Sequence, residues 1–483
     1  MTISDPGTEA EPGPDPDPDS DSGRPRPEGP RPARGSLGLL ACTALVIGNM
    51  IGSGVFLLPG TLAPYGGLAI VAWCFTCAGA LLLALVFGRF ARLQPHTGGP
   101  YAYVERTFGR FTGFMIGWGY WIAVWVGNAA IAIAAVGYLA YFVPALEGRA
   151  LSSALVAVAL SWAATYLNVR GVKDAGFVAI LTTALKLIPL VGIAVVGLFF
   201  LDRGAVPEFN PTGGSAFQGI TAAAALTLWA FIGMESATVP AGDVKDPRRT
   251  IPRSTILGVS VASAVYVLST FVVMTLVPAG QLESSSAPFA DAAEVIVGKA
   301  GGSIVAAGGL IACLGAMSGW VMLQGQVPMA LARDGLFPKR FGAVNRHGSP
   351  AYGLVFSNVL VTVLILMTAN SGLAGQFKEI ILIATLSSLI PYGMTALALL
   401  KVMRADRSQF PGSAFAKYTA IAVLAAAYSA WAIYGSGWET VWKGLAALVL
   451  GLPVYFWLRR RGDGPDAWQA DRTERPARAG TAP

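Results

Sequence analysis

Residues 48–56 read GNMIGSGVF, with three glycines in seven positions inside an apolar run from Leu37 to Leu62. Each glycine costs about 1 kcal/mol relative to alanine in a helix interior, so a membrane helix is weakened here at its centre. Backbone groups freed within hydrocarbon are tolerated only where they line a cavity or find partners. Amides around Ser53 and Gly54, at the N-terminus of the half-helix that follows, suit a carboxylate. Carbonyls around Met50, and around Ile232 in a second segment, suit an ammonium group. A carboxylate beside an ammonium describes an amino acid.

The second segment is LWAFIGMESATVPAG, residues 228–242, where Gly233 precedes a charged Glu235 in an apolar run. The two breaks lie about 180 residues apart, which suits two inverted repeats of five spans, each contributing a discontinuous helix, with spans eleven and twelve outside the repeat. Close helix packing would account for Gly48, Gly52 and Gly54 alone, but it does not call for a second break at the matching position. Lys186 and Glu235 are the two acid or base side chains placed well inside a span, and intramembrane charges are costly and usually functional.

These groups require a membrane scaffold, and the composition supplies one. The chain has 483 residues, 54% hydrophobic and 13% charged, about half the charge of a soluble domain, with a mean hydropathy of +0.58. Apolar runs recur between residues 38 and 458; by length they predict an all-α polytopic membrane protein of about 12 transmembrane helices. One set of alternate loops is rich in Lys and Arg, for example Lys245, Arg248, Arg249 and Arg253; the other holds Arg149, Arg203, Lys299, Lys378 and Lys443. This bias predicts cytoplasmic termini, and it absorbs the net charge of +7 without any reason to invoke nucleic acid. Residues 1–35 and 461–483 are Pro-rich and charged, and read as disordered tails flanking a transporter domain at 36–460.

Several functions are disfavoured. The chain carries no GxxxxGK[ST] phosphate cradle and no TVGYG-like filter. The histidines, His96 and His347, fall in loops, and Cys42, Cys74, Cys77 and Cys313 lie inside apolar spans. Cys74 and Cys77 form a CxxC that reads as small packing residues on one helix face rather than as a metal or redox site. No activated nucleophile, metal cluster or cofactor motif stands out, so secondary transport is the leading class and an enzyme is not expected.

The segments GNMIGSGVFLLP, GGPYAYVERTFG, YWIAVWVGN, LWAFIGMESATVPAGDVKDPRRTIP and CLGAMSGW resemble, in order and spacing, the basic amino acid/polyamine antiporter group of the amino acid/polyamine/organocation (APC) superfamily, which includes arginine/agmatine and lysine/cadaverine antiporters. The resemblance implies a LeuT-type 5+5 inverted repeat with broken helices 1 and 6 and a substrate site between spans one, three, six, eight and ten. It implies that Ser53 and Gly54 bind the carboxylate, and that the carbonyls of Met50, Trp229 and Ile232 receive the α-amino group. Asn49 would steady the unwound segment, Asn128 would face the distal end of the substrate, and Trp229 and Trp320 would pack on its side chain. Glu235 would link binding to gating or proton sensing, with Tyr120 and Tyr392 as gate members.

The chain departs from the group at Val124, Ile131 and Ala384, apolar where the arginine/agmatine antiporter carries polar or sulfur groups. It departs again at Lys186, a position that is apolar in the diamine antiporters; superfamily members that take up amino acids with protons carry a lysine in this helix. The expectation is therefore a plasma-membrane antiporter exchanging a cationic amino acid for its diamine or another amino acid, possessing no cofactor, with protons as a candidate coupled ion and a homodimer implied. A proton-coupled permease for neutral amino acids is the alternative, and an amino-acid sensor on a transporter scaffold is a third reading.

Overall fold

The computed structural model describes residues 37–93, 99–171, 175–201, 206–239, 241–410 and 412–460. The two tails, His96 and Arg203 lie outside the described residues. Among the described residues eleven helices are long and apolar enough to cross a membrane, and Ala351–Met367 is a shorter apolar helix of 17 residues. In chain order the spans are Leu39–Tyr65, Gly67–Leu93, Arg110–Ala140, Ala150–Arg170, Ile180–Phe200, Ala216–Thr238, Pro247–Leu276, Pro288–Arg333, Ala351–Met367, Gly372–Ala405, Ser413–Gly435 and Trp438–Arg460. They are numbered one to twelve below.

Spans one, three and six are 78%, 89% and 78% buried along their apolar stretches, against 28% for span four and 22% for span twelve. The first three therefore form the centre with span ten, 67% buried, against them, and spans four and twelve lie at the periphery. Span three is built for that position: its Gly- and Ala-rich sequence, GNAAIAIAAVG at 127–137, lets neighbouring backbones approach closely where lipid provides no hydrophobic drive for association.

Both expected breaks are present. Span one is helical over Leu39–Met50 and again over Ser53–Leu62. Between them Ile51 is extended (φ −81°, ψ 101°) and Gly52 takes φ −157°, ψ −133°. Span six is α-helical over Ala216–Thr227, tightens to a 3₁₀ turn over Leu228–Phe231, and opens at an extended Ile232. Gly233 then adopts φ +102°, a conformation that side chains oppose. A β-carbon there would also stand 3.2 Å from the Asn49 Cβ and 3.3 Å from its carbonyl oxygen, so glycine is required both by the turn and by the approach of the two breaks.

Span eight is the longest helix among the described residues, at 46 residues. Its helix begins at Pro288 and is interrupted at Val297 and Gly298. The leading segment lies over the second half of span one, where the Phe289 and Phe56 rings are 5.4 Å apart. On the Lys/Arg-rich face, Leu37 forms a β-bridge to Val244, tying the entry of span one to the exit of span six. On the same face Tyr101 donates to Asp334 Oδ2 at 3.0 Å and Arg110 Nη2 to the Asp334 carbonyl at 2.8 Å. Burial and the adjacent Asp334 carboxylate push the Tyr101 phenol well above its ordinary range.

The CxxC expectation needs correction. Cys74 is exposed on the outer face and Cys77 only partly buried, because a spacing of three carries the second sulfur part of the way round the helix; Cys74 does not pack inside the protein.

Candidate functional site

The two breaks meet around a small cavity of about 10 Å³, room for about one water molecule. Seven of the eight residues assigned above to substrate binding line it: Asn49, Met50, Ser53, Gly54, Trp229, Ile232 and Trp320. Ser53 and Gly54 open the half-helix Ser53–Leu62, whose first-turn amides have no partner within the helix. The Trp229 carbonyl already accepts the Ile232 amide at 3.2 Å, leaving it one lone pair for a ligand.

Trp320 is aimed by the break itself. Its Nε1 donates to the Asn49 carbonyl at 2.9 Å, and its ring lies 5.8 Å from that of Trp229 with a tilt of 38°. The two rings close one side of the cavity, with Ile131 and Ala316 completing its apolar wall. Asn49 serves both breaks, because its Nδ2 donates to Ser236 Oγ at 2.8 Å and Ser236 Oγ in turn donates to the Gly233 carbonyl.

Asn128 differs from expectation. It does not line the cavity; its Nδ2 donates instead to Gln324 Oε1 at 2.7 Å. It stays on the cavity side of span three, one turn before Ile131. Val124 and Ala384, the other apolar departures, are buried in the same core.

The three residues expected to gate form one cluster. Glu235 is fully buried; its Oε1 accepts the Tyr120 hydroxyl and its Oε2 the Tyr392 hydroxyl, each at 2.5 Å. No Lys or Arg lies within ion-pair distance among the described residues, so a charged Glu235 is held by two charge-assisted hydrogen bonds, which are about twice as strong as neutral ones. The cluster joins spans three, six and ten through one carboxylate.

Lys186 lies apart from this cluster. It is 1% exposed, and its Nζ donates to the Gly48 carbonyl at 2.7 Å. One turn away Thr183 donates to the Ala44 carbonyl at 2.9 Å. The amine thus holds the last turn of span one before the break.

Sequence reasoning missed Ser236, Tyr266 and Gln324. Tyr266 donates to the Ala230 carbonyl at 2.9 Å, caring for a backbone oxygen released by the break in span six. Gln324 stands four residues after Trp320 inside an apolar span and is fully buried. An amide at that depth was the available signal, since polar groups inside membrane spans are few and usually functional.

A helical membrane bundle whose first and sixth spans are both interrupted at one small cavity, with the freed backbone lining it, has the architecture of a secondary transporter. The sequence pattern of the amino acid permease family matches residues 37–454, and the chain belongs to that family; it is a transporter and not an enzyme. It is 38% identical over 371 residues to the cadaverine/lysine antiporter of Escherichia coli (strain K12), covering 76% of this chain and 83% of the relative. It is 31% identical over 423 residues to the putrescine transporter PotE of the same strain, covering 87% and 95%, and equally similar to that of Haemophilus influenzae, covering 87% and 96%.

Proposed function

We propose that this protein is an antiporter of the cytoplasmic membrane that exchanges a cationic, lysine- or arginine-like amino acid for its diamine or for another amino acid. The observation that carries the reading is the cavity at the paired breaks. Half-helix amides at Ser53 and Gly54 stand on one side for a carboxylate. Two tryptophan faces stand on the other for an aliphatic stem or a cation. The relatives' substrates, lysine, cadaverine and putrescine, carry the ammonium groups and aliphatic stems that such a lining suits. The Lys/Arg bias of alternate loops supports cytoplasmic termini, and the resemblance adds a homodimer.

Gating follows from Glu235. As a carboxylate it accepts from both Tyr120 and Tyr392; once protonated, one of its oxygens becomes a donor, and the tyrosine on that side must accept and turn its own hydroxyl hydrogen elsewhere. Proton uptake at Glu235 would thereby change the hydrogen bonds that tie span six to spans three and ten. The permease reading for neutral substrates draws support from Val124, Ile131, Ala384 and the buried Lys186.

Counterflow separates the two. Proteoliposomes loaded with cadaverine should take up labelled lysine without an imposed pH difference, and leucine poorly. Uptake of leucine driven only by a pH difference would favour the permease. Trp320→Leu should weaken lysine more than norleucine, since a ring face holds a cation by roughly 0.5 to 2 kcal/mol. Equal losses for both substrates would count against a cation beside the rings.

A further inference from the structure

Three polar groups form a chain that runs from span nine to the edge of the cavity. Gln324 Nε2 donates to the Leu354 carbonyl at 3.2 Å, and Gln324 Oε1 accepts from Asn128 Nδ2 at 2.7 Å. Asn128 Oδ1 is buried and has no hydrogen-bond partner among the described residues.

The direction of this chain is dictated by chemistry. A backbone carbonyl can only accept, so the end of the Gln324 amide turned toward Leu354 must be its NH₂. Its oxygen then faces Asn128 and can only accept, so Asn128 must turn its own NH₂ to Gln324. The Asn128 oxygen is left pointing elsewhere as an unpaired acceptor. Buried polar atoms are nearly always paired, and this one stands beside the binding cavity: the β-carbon of a residue at neighbouring Gly127 would lie 3.0 Å from both the Trp229 and Trp320 rings. One turn further along span three, Ile131 lines the cavity.

We propose that Gln324 is a positioning residue that sets substrate specificity, by holding the Asn128 amide so that its oxygen receives an N–H donor at the distal end of the substrate side chain. The ligand class is an amino acid ending in an ammonium, guanidinium or ureido group. An equal-length alkyl chain would leave the acceptor unpaired, and sites built around a hydrogen bond reject the analogue that lacks it. The inference rests on the reading above, in which the substrate is an amino acid with its side chain toward span three. It deepens that reading by explaining how a greasy distal pocket can still demand a donor.

The alternative is that the Asn128–Gln324 pair only glues two helices. Uptake of lysine, citrulline and norleucine into proteoliposomes separates the two. In the unsubstituted protein, a preference for lysine over norleucine supports both the cationic substrate and the relay. A preference for citrulline but not lysine overturns the cationic substrate while leaving the relay in place. A preference for neither overturns the relay. Gln324→Met keeps the bulk but frees Asn128 to rotate, so the donor-over-norleucine ratio should fall about tenfold or more, the scale of one hydrogen bond to a charged group, while norleucine uptake persists. An unchanged ratio in a folded Gln324→Met protein overturns the proposal. Gln324→Glu should retain the ratio at a pH that keeps the carboxyl protonated, because it then donates to the Leu354 carbonyl and turns its other oxygen toward Asn128 Nδ2; helix glue alone predicts no such split between Met and Glu. Should Gln324→Met not reach the membrane folded, Asn128→Ala must abolish the preference and Gln324→Glu must keep it, and failure of either overturns the relay.

Discussion

Gly54→Val is expected to abolish substrate uptake in a protein that still inserts and purifies as a single species. A β-carbon at Gly54 would stand 3.0 Å from the Ala230 Cα, 3.1 Å from its Cβ and 3.2 Å from Trp229 Cδ1. All three atoms belong to the span-six segment that faces the break, and the nearest is backbone, which cannot yield as a flexible side chain can. A valine would therefore wedge the two broken helices apart and cover the amides offered to a carboxylate. Overpacking of this kind costs about 1–3 kcal/mol, less than the stability of a domain, so the loss should appear in function before folding. Gly54→Ala should fall between the two. The measurements are labelled uptake into proteoliposomes and elution of the purified protein on size exclusion. Normal uptake by a correctly inserted Gly54→Val protein would remove the proposed carboxylate site.

Lys186→Met is expected to abolish accumulation driven by a pH difference while leaving exchange measurable. Methionine keeps the length of the side chain but removes the donor that meets the Gly48 carbonyl at 2.7 Å, a bond from a charged group worth about 1.5–3 kcal/mol. In the protonated form the amine restrains the turn that precedes the break; in the neutral form the restraint weakens, which is how a proton at Lys186 could set the freedom of span one. Removing the amine removes that dependence, so the pH profile of uptake should flatten. The check is the concentration ratio reached by vesicles with an imposed pH difference, compared with counterflow in the same preparation. A Lys186→Met protein that still concentrates substrate would exclude Lys186 as the proton carrier and leave Glu235, between Tyr120 and Tyr392, as the titrating group.

Much of the architecture was legible in the sequence because its signals are local. Apolar runs of membrane length specify spans wherever they occur, and the count of about twelve needed no knowledge of packing. The breaks were legible for the same reason. Glycine in GNMIGSGVF and beside Glu235 weakens the helix in which it sits, whatever surrounds it. Lys186 and Glu235 announced themselves by their cost in an apolar run.

Which atoms these residues meet was decided only in three dimensions. Tyr120 and Tyr392 lie 115 and 157 residues from Glu235 in the chain, yet each donates to a different oxygen of the same carboxylate. Asn128, expected to face the substrate directly, is turned by Gln324, 196 residues away. Cys74, read as a small packing residue, is exposed. The physical reason is common to all of these. Helix formation and membrane insertion depend on the composition of a stretch of about 20 residues, which the sequence displays directly. The orientation of a buried amide or carboxylate depends on which donor or acceptor a distant helix places within about 3 Å, and that is set only when the helices have packed.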